Sequence, residues 1–338
     1  MRALVYEGAW QMPLREIDPP IPGPDDVIVA VQAAGVCGSD VHGFTGSTGR
    51  RTPGIVMGHE FTGSISSVGS RVQAYGIGDR VVVQPLTTCG ACPMCLAGRP
   101  NVCFSRTLIG MHTHGAYAEL VRVPHHQIYR LPDTMSWEHG SLAEPLSVAL
   151  HAVNLTPLTL MDTVVIVGAG TIGLLALLAA RLKGAGRIIV TDLSTHRLAL
   201  ARHLGADIVV NVGEQDPLAV VQEATGGAGA DATLEAVGIS ATVQQALAVT
   251  RIGGSITWIG NSAPDVTLNM QQVVTREITI RGSYGFNQEF AVAIDALCLG
   301  RINVTPLIER IVPLEEGSQL VHALATGSLD VAKVILTP

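Results

Sequence analysis

The chain has no long basic run. It carries 21 Lys and Arg against 28 Asp and Glu over 338 residues, a net charge of −7. Nucleic acid and anionic membrane surfaces are therefore poor partners. It also lacks an apolar leader: "MRALVYEGAW" offers neither a hydrophobic core nor a cleavage signal, so a cytoplasmic location is expected. Internal repeats and low-complexity tracts are absent. So is an unbroken membrane span. The nearest approach, Thr163 to Ala180, is eighteen residues without a charge, but "GAGTIG" interrupts it and divides it into a strand, a turn and a helix. Cysteine is scarce at six residues, and in a reducing compartment clustered thiols favour metal over disulfide.

The residues that are plentiful point to an α/β protein. Hydrophobic content is 47% and glycine numbers 37, enough for a sizeable core and many strand–loop–helix transitions. The length suits two domains. Up to about residue 150, short β-rich segments such as "DDVIVAVQAAGVC", "FTGSISSVGSRV" and "DRVVVQP" are punctuated by Gly, Pro and Asp, which predicts an irregular, mostly antiparallel β domain. From about residue 160, six apolar strands alternate with helical stretches, among them 172–183 and 196–204. This predicts a doubly wound parallel sheet. A further helix is expected over about 287–299, with Cys298 buried on it.

Four of the six cysteines lie in "CGACPMCLAGRPNVC", spaced Cys89-x2-Cys92-x2-Cys95-x7-Cys103. The two-residue gaps let successive thiolates converge on one ion, and Gly98 and Pro100 turn the longer loop so that the fourth returns. That describes a closed structural zinc site with no position for substrate. A redox dithiol and an iron–sulfur cluster are the rival readings. A lone Cys37 in "GVCGSDVHG" and the pair His59–Glu60 in "MGHEFTG" are individually ordinary, since an isolated cysteine is usually packing. Together they offer a thiolate, an imidazole and a carboxylate, the donor set of a zinc that keeps an open position.

In "VVIVGAGTIG", Gly168-x-Gly170-x-x-Gly173 follows a strand and opens a helix, the context required of a dinucleotide loop. Gly168 makes the turn, Gly170 lets the backbone approach a pyrophosphate, and Gly173 packs helix on strand, with Thr171 and Ile172 between them at the helix N-terminus. Asp192 ends the next strand, where its carboxylate would accept from ribose hydroxyls and repel a 2′-phosphate. That favours NAD over NADP, although Arg197 nearby is a residue that can accommodate such a phosphate.

With these motifs in this order, the sequence resembles the zinc-dependent medium-chain dehydrogenase/reductase superfamily over essentially its whole length. "GHEFTGSISSVGSRV" looks like the family's zinc signature, the cysteine cluster like its structural-zinc lobe, and "GAGTIG" like its cofactor loop. "CGSDVH", "EPLSVALHA" and "VTDLSTHR" resemble the polyol, sorbitol dehydrogenase-like branch. The resemblance implies a GroES-like catalytic domain from residues 1–150 and 287–338, with the zinc lobe at about 85–105, and a Rossmann domain from residues 151–286. It implies two zinc ions per chain, NAD, a small alcohol substrate and a homo-oligomer, tetramer or dimer. Cys37 and His59 are then catalytic zinc ligands, joined by either Glu60 or Glu144.

By the same resemblance, Ser39 bonds the substrate alkoxide and passes its proton through the cofactor ribose toward His42, and Ser283 and Tyr284 lie by the nicotinamide. A substrate-contacting arginine of animal sorbitol dehydrogenases has no counterpart in "SYGF". A sugar phosphate would need added cations; Arg50 and Arg51 are candidates, although solvated loop charge is the plainer reading. His112 and His114 are expected to cap a hairpin rather than line a substrate cleft. L-threonine 3-dehydrogenase and 2,3-butanediol dehydrogenase share these motifs. A non-enzymatic nucleotide-binding relative should lack Cys37, His59 and the acidic ligand, all of which are present.

Overall fold

The computed structural model describes residues 1–338, which form two compact units, Met1–Glu144 with Phe290–Pro338, and Pro145–Glu289. The breaks fall at residues 144/145 and 289/290 instead of 150/151 and 286/287. The first break lies inside a continuous helix, Ala143–Leu155, so composition offers no loop to mark it.

The first unit is built on a seven-stranded sheet. Its strands run in the order Ile128–Arg130, Arg80–Val83, Glu60–Val68, Asp26–Gly35, Lys333–Thr337 and Ile308–Pro313, with Leu120–Pro124 also paired to Asp26–Gly35. The pairings are antiparallel except for the last, between Lys333–Thr337 and Ile308–Pro313. The two-residue strand period sends Val27, Val29 and Val31 into one core with Phe61, Ile65, Val81, Val83, Val121 and Val123. The C-terminal strand is inserted between Asp26–Gly35 and Ile308–Pro313, so both ends of the chain build one unit.

The second unit holds a six-stranded parallel sheet in the order Ile208–Asn211, Arg187–Asp192, Thr163–Val167, Ala230–Glu235, Thr250–Trp258 and Thr279–Gly282. Strand Thr163–Val167, "TVVIV", is buried at every position but its first, as a strand covered on both faces must be. The order reverses beside it, which makes the carboxyl end of this strand the switch point where such sheets bind ligands. The GroES-like and Rossmann folds expected of the two parts are the folds found.

The helix expected over 287–299 is Glu289–Cys298. Its buried residues are Phe290, Ala293, Ile294 and Ala296; Cys298, expected to be buried, is exposed at the last position because it lies off that face.

Candidate active site and metal centres

Strand register explains how a cysteine and a His–Glu pair some twenty residues apart come together. Strand Asp26–Gly35 pairs with Glu60–Val68 so that Gly35 stands opposite Glu60. Cys37 follows two residues later as the N-cap of helix Gly38–Phe44, its Sγ accepting from Ser39 N at 3.4 Å. The strand Lys333–Thr337 sits on the other side, pairing Ile335 with Gly35. A Cβ on residue 35 would lie 2.2 Å from Glu60 Oε2, so any other residue at the crossing would displace the Glu60 carboxylate. The ligand atoms of Cys37, His59 and Glu60 lie within 4.8 Å of one another, with His59 and Glu60 buried.

A buried charge network surrounds these three. Lys333 Nζ donates to Glu60 Oε2 at 2.7 Å and to Val36 O at 3.0 Å, with its side chain 1% exposed. Glu60 Oε1 is buried with no partner. His59 Nδ1 lies 3.4 Å from Asp40 Oδ2, an ion-pair distance although not aligned as a hydrogen bond. Asp40 also accepts from Arg51 Nη2 at 3.0 Å and from Tyr117 OH at 2.9 Å. Burial works against charge on Asp40, but His59, Arg51 and Tyr117 outweigh it and hold the carboxyl well below the usual range. Burial likewise lowers the basicity of His59, but its neighbours Asp40 and Cys37 reverse this and raise it well above the ordinary value. The surroundings thus favour positive charge at this position, whether a ring proton or a cation bound to the ring nitrogen. A thiolate, a ring nitrogen and an orphaned carboxylate oxygen fit a zinc ion, with Asp40 orienting the histidine from behind.

Glu144, the alternative carboxylate, lies outside that three-residue cluster. It is buried, and burial pushes its carboxyl up to about 7; His59 and Lys333 hold it down while Glu60 and Asp40 raise it. Ser39 and His42 are both exposed on helix Gly38–Phe44, three residues apart and so on one face, with Ser39 Oγ 3.4 Å from Cys37 Sγ.

The four-cysteine lobe has a different character. Its Sγ–Sγ distances are 3.4 Å for Cys89–Cys103, 3.6 Å for Cys92–Cys95 and 4.0 Å for Cys89–Cys95, and all four atoms lie within 4.8 Å of one another. Zinc–sulfur bonds of ~2.3 Å in a tetrahedron give edges of ~3.8 Å, whereas a disulfide requires ~2.05 Å. Backbone N–H groups of Cys95 and Phe104 pull the Cys92 thiol down to about 6, and those of Cys89 and Ser105 lower Cys103. Burial and the neighbouring thiols push Cys95 up to about 11, the mutual repulsion that a divalent cation would remove. Both donor sets therefore fit zinc.

In the second unit Gly168 takes φ +99°, open to glycine at little cost. A Cβ on Gly173 would stand 1.8 Å from Gly168 O, so helix and loop touch backbone to backbone. A Cβ on Gly170 would meet only Arg197 Nη1, at 3.8 Å, which leaves an open face over the loop. No side chain caps the following helix Thr171–Lys183, so Thr171 and Ile172 begin an uncapped N-terminus suited to an anion. Asp192 accepts from Ala169 N at 2.6 Å and Ser194 N at 2.8 Å, which ties the loop to the end of the neighbouring strand. Ser283 Oγ is buried without a partner and Tyr284 is 38% exposed. These residues form a cradle that fits a dinucleotide.

Other expectations meet mixed outcomes. His112 Nδ1 accepts from Leu108 N, a local backbone cap, whereas His114 Nδ1 accepts from Val56 N, 58 residues away, and so ties its loop to a distant strand rather than capping a hairpin. Arg50 is exposed, but Arg51, expected as solvated charge, is buried because Asp40 supplies its counter-ion. Sequence reasoning missed Asp40, Arg51, Tyr117 and Lys333. Of these, Lys333 left a signal: it is a charge in the otherwise apolar run "VAKVILT".

A family profile described as "Alcohol dehydrogenase GroES-like domain" matches residues 23–133, and one described as "Zinc-binding dehydrogenase" matches residues 171–298. The chain is 34% identical to a sorbitol dehydrogenase of Bacillus subtilis over 100% of its own length and 97% of the relative's. Among solved structures, galactitol-1-phosphate dehydrogenase from Escherichia coli superposes with a TM-score of 0.93 at 31% identity, covering 100% of both chains. A zinc-binding dehydrogenase from Sinorhizobium meliloti bound to NADP superposes with a TM-score of 0.91 at 32% identity, covering 100% of this chain and 99% of that one.

Proposed function

The chain belongs to the zinc-dependent medium-chain dehydrogenase/reductase superfamily, in its polyol branch, and from that premise we propose that it interconverts a secondary alcohol, a polyol or sugar alcohol, with the ketone, using NAD. It is an oxidoreductase that acts on a small alcohol with a nicotinamide cofactor. The observation that carries the proposal is the buried cluster of Cys37, His59 and Glu60, with Glu60 Oε1 left unpartnered.

Cys37 Sγ, His59 Nε2 and Glu60 Oε1 would hold the catalytic zinc, and Cys89, Cys92, Cys95 and Cys103 would hold the structural one. When bound, the catalytic zinc supplies Lewis acidity toward the alcohol oxygen and NAD supplies the hydride acceptor. Ser39 Oγ accepts the hydroxyl proton as it gives up its own, which passes toward His42, exposed on the same helix face, and so to water. Glu144 is a nearby carboxyl held partly protonated near neutral pH by burial, outside the ligand set but able to exchange with Glu60. Asp192 receives the ribose hydroxyls and its negative charge disfavours a 2′-phosphate. Gly168, Gly170 and Gly173 let the pyrophosphate approach the helix N-terminus, beside Arg197. Ser283 and Tyr284 serve the nicotinamide.

Two features bear on the substrate. Gly285 stands at φ +56° in the loop "SYGF", which carries no arginine for a sugar hydroxyl, so sorbitol itself is disfavoured. Arg51 is committed to Asp40, which leaves Arg50 alone of the pair in water and favours an unphosphorylated substrate. The test is NAD reduction by the zinc-loaded protein over polyols, polyol phosphates, L-threonine and 2,3-butanediol. Preferred turnover of an unphosphorylated polyol is the expected result. No turnover of any polyol with both zinc ions bound would overturn the reading.

A further inference from the structure

We infer that Arg51 is a positioning residue of the Cys37–His59–Glu60 centre, acting through Asp40; this rests on the reading of that centre as a zinc site. Arg51 belongs to the polar, glycine-containing connection between helix Gly38–Phe44 and strand Ile55–Val56, where an arginine ordinarily stays in water. Here its side chain is 2% exposed and Nη2 donates to Asp40 Oδ1 at 3.0 Å.

The path inward runs over Gly43. A Cβ at that position would stand 2.9 Å from Arg51 Cγ and 3.1 Å from its Nε. The same short helix therefore presents Cys37 at its N-cap, Asp40 toward the interior, and a side-chain-free position near its C-terminus that the arginine stem occupies.

Asp40 is fully buried, and a buried carboxylate is unfavourable unless its charge is balanced. The Tyr117 hydroxyl and a neutral imidazole give Asp40 directional partners but no countercharge; the guanidinium supplies it. With Oδ1 taken by Arg51, Oδ2 accepts from Tyr117 OH and stands 3.4 Å from His59 Nδ1, on the side of the ring away from Nε2. A carboxylate fixed in this way selects the tautomer protonated at Nδ1 and leaves Nε2 to bind metal. Without the guanidinium, Oδ1 loses the contact that fixes the carboxylate, which is then free to turn and release the ring.

The test uses the full-length protein carrying Arg51→Met, Arg51→Lys or Gly43→Ala. The readouts are zinc per chain, competition for Zn2+ by a metallochromic chelator, and the visible spectrum of the Co2+-substituted Cys37 centre. Arg51→Met should give up the Cys37-centre zinc about 10- to 100-fold more readily, the range for lost partners behind a ligand, and should shift the cobalt bands. The four-cysteine zinc should stay. Arg51→Lys, which keeps the charge, should restore most of the affinity, and Gly43→Ala should fall between. Wild-type competition and an unchanged cobalt spectrum in Arg51→Met would overturn the inference. A wild-type protein holding zinc only at the four cysteines would overturn the underlying reading instead. Should Arg51→Met fail to fold, Gly43→Ala decides: weakened zinc supports the role and wild-type zinc retention ends it.

Discussion

The four thiols of Cys89–Cys103 come from fifteen consecutive residues, and three of them are partly or fully exposed. Cys37, His59 and Glu60 come instead from a helix N-cap, a loop and the start of a strand, and Lys333 joins them from the far end of the chain. The dense cluster offers four equivalent donors that a single ion satisfies. The dispersed one offers three unlike donors, an orphaned carboxylate oxygen and a second layer of buried charge. Sequence density marks a clamp, and convergence in space marks a place where charge can be controlled. Burial separates them further: His59 and Glu60 are 4% and 1% exposed, and Coulomb interactions weaken as water enters.

Substitutions that act on one cluster and spare the other test this contrast. Cys37→Ser should have the largest effect on turnover. Loss of the Lewis acid is worth several kcal/mol, or about 10^3-fold or more in kcat, with melting temperature nearly unchanged. Ser39→Ala leaves the donor set intact and should lower kcat by about 10^2-fold, as expected for loss of a positioned proton acceptor; a solvent isotope effect that stays at the wild-type value would contradict this role. Asp192→Ala, which touches neither donor set, should cut the preference for NAD over NADP by about tenfold or more, read as the ratio of kcat/KM values. An unchanged ratio would remove the ribose role. Cys103→Ser should affect turnover least: kcat per folded molecule should remain within about twofold, while the melting temperature falls by at least about 5 °C as the zinc lobe is lost.

Much of the fold was legible because periodicity and local chemistry carried it. "TVVIVGAG" announces a buried strand and a turn with two glycines, and the structure puts φ +99° at Gly168. The helix limits moved by one or two residues. The domain break inside helix Ala143–Leu155 had no local mark. Within the site, ligands recognisable by residue type were visible, whereas the residues behind them were not. Asp40 looks like a helix first-turn acid, Tyr117 like core, and Arg51 like loop charge. Their importance depends on contacts 11 to 77 residues apart in sequence, Arg51–Asp40 and Tyr117–Asp40, which only strand register and packing bring about. Cys298 shows the reverse case: its apolar helix suggested burial, but the helical period sets it off the buried face.

The most direct test of the central claim is zinc content measured beside turnover in Cys37→Ser and Cys103→Ser. The wild type should hold two zinc ions per chain. Cys37→Ser should be folded, hold one zinc and be almost inactive, and the folded fraction of Cys103→Ser should keep the Cys37-centre zinc and its turnover. Full turnover with both zinc ions retained in Cys37→Ser, or selective loss of turnover in a stably folded Cys103→Ser, would contradict it.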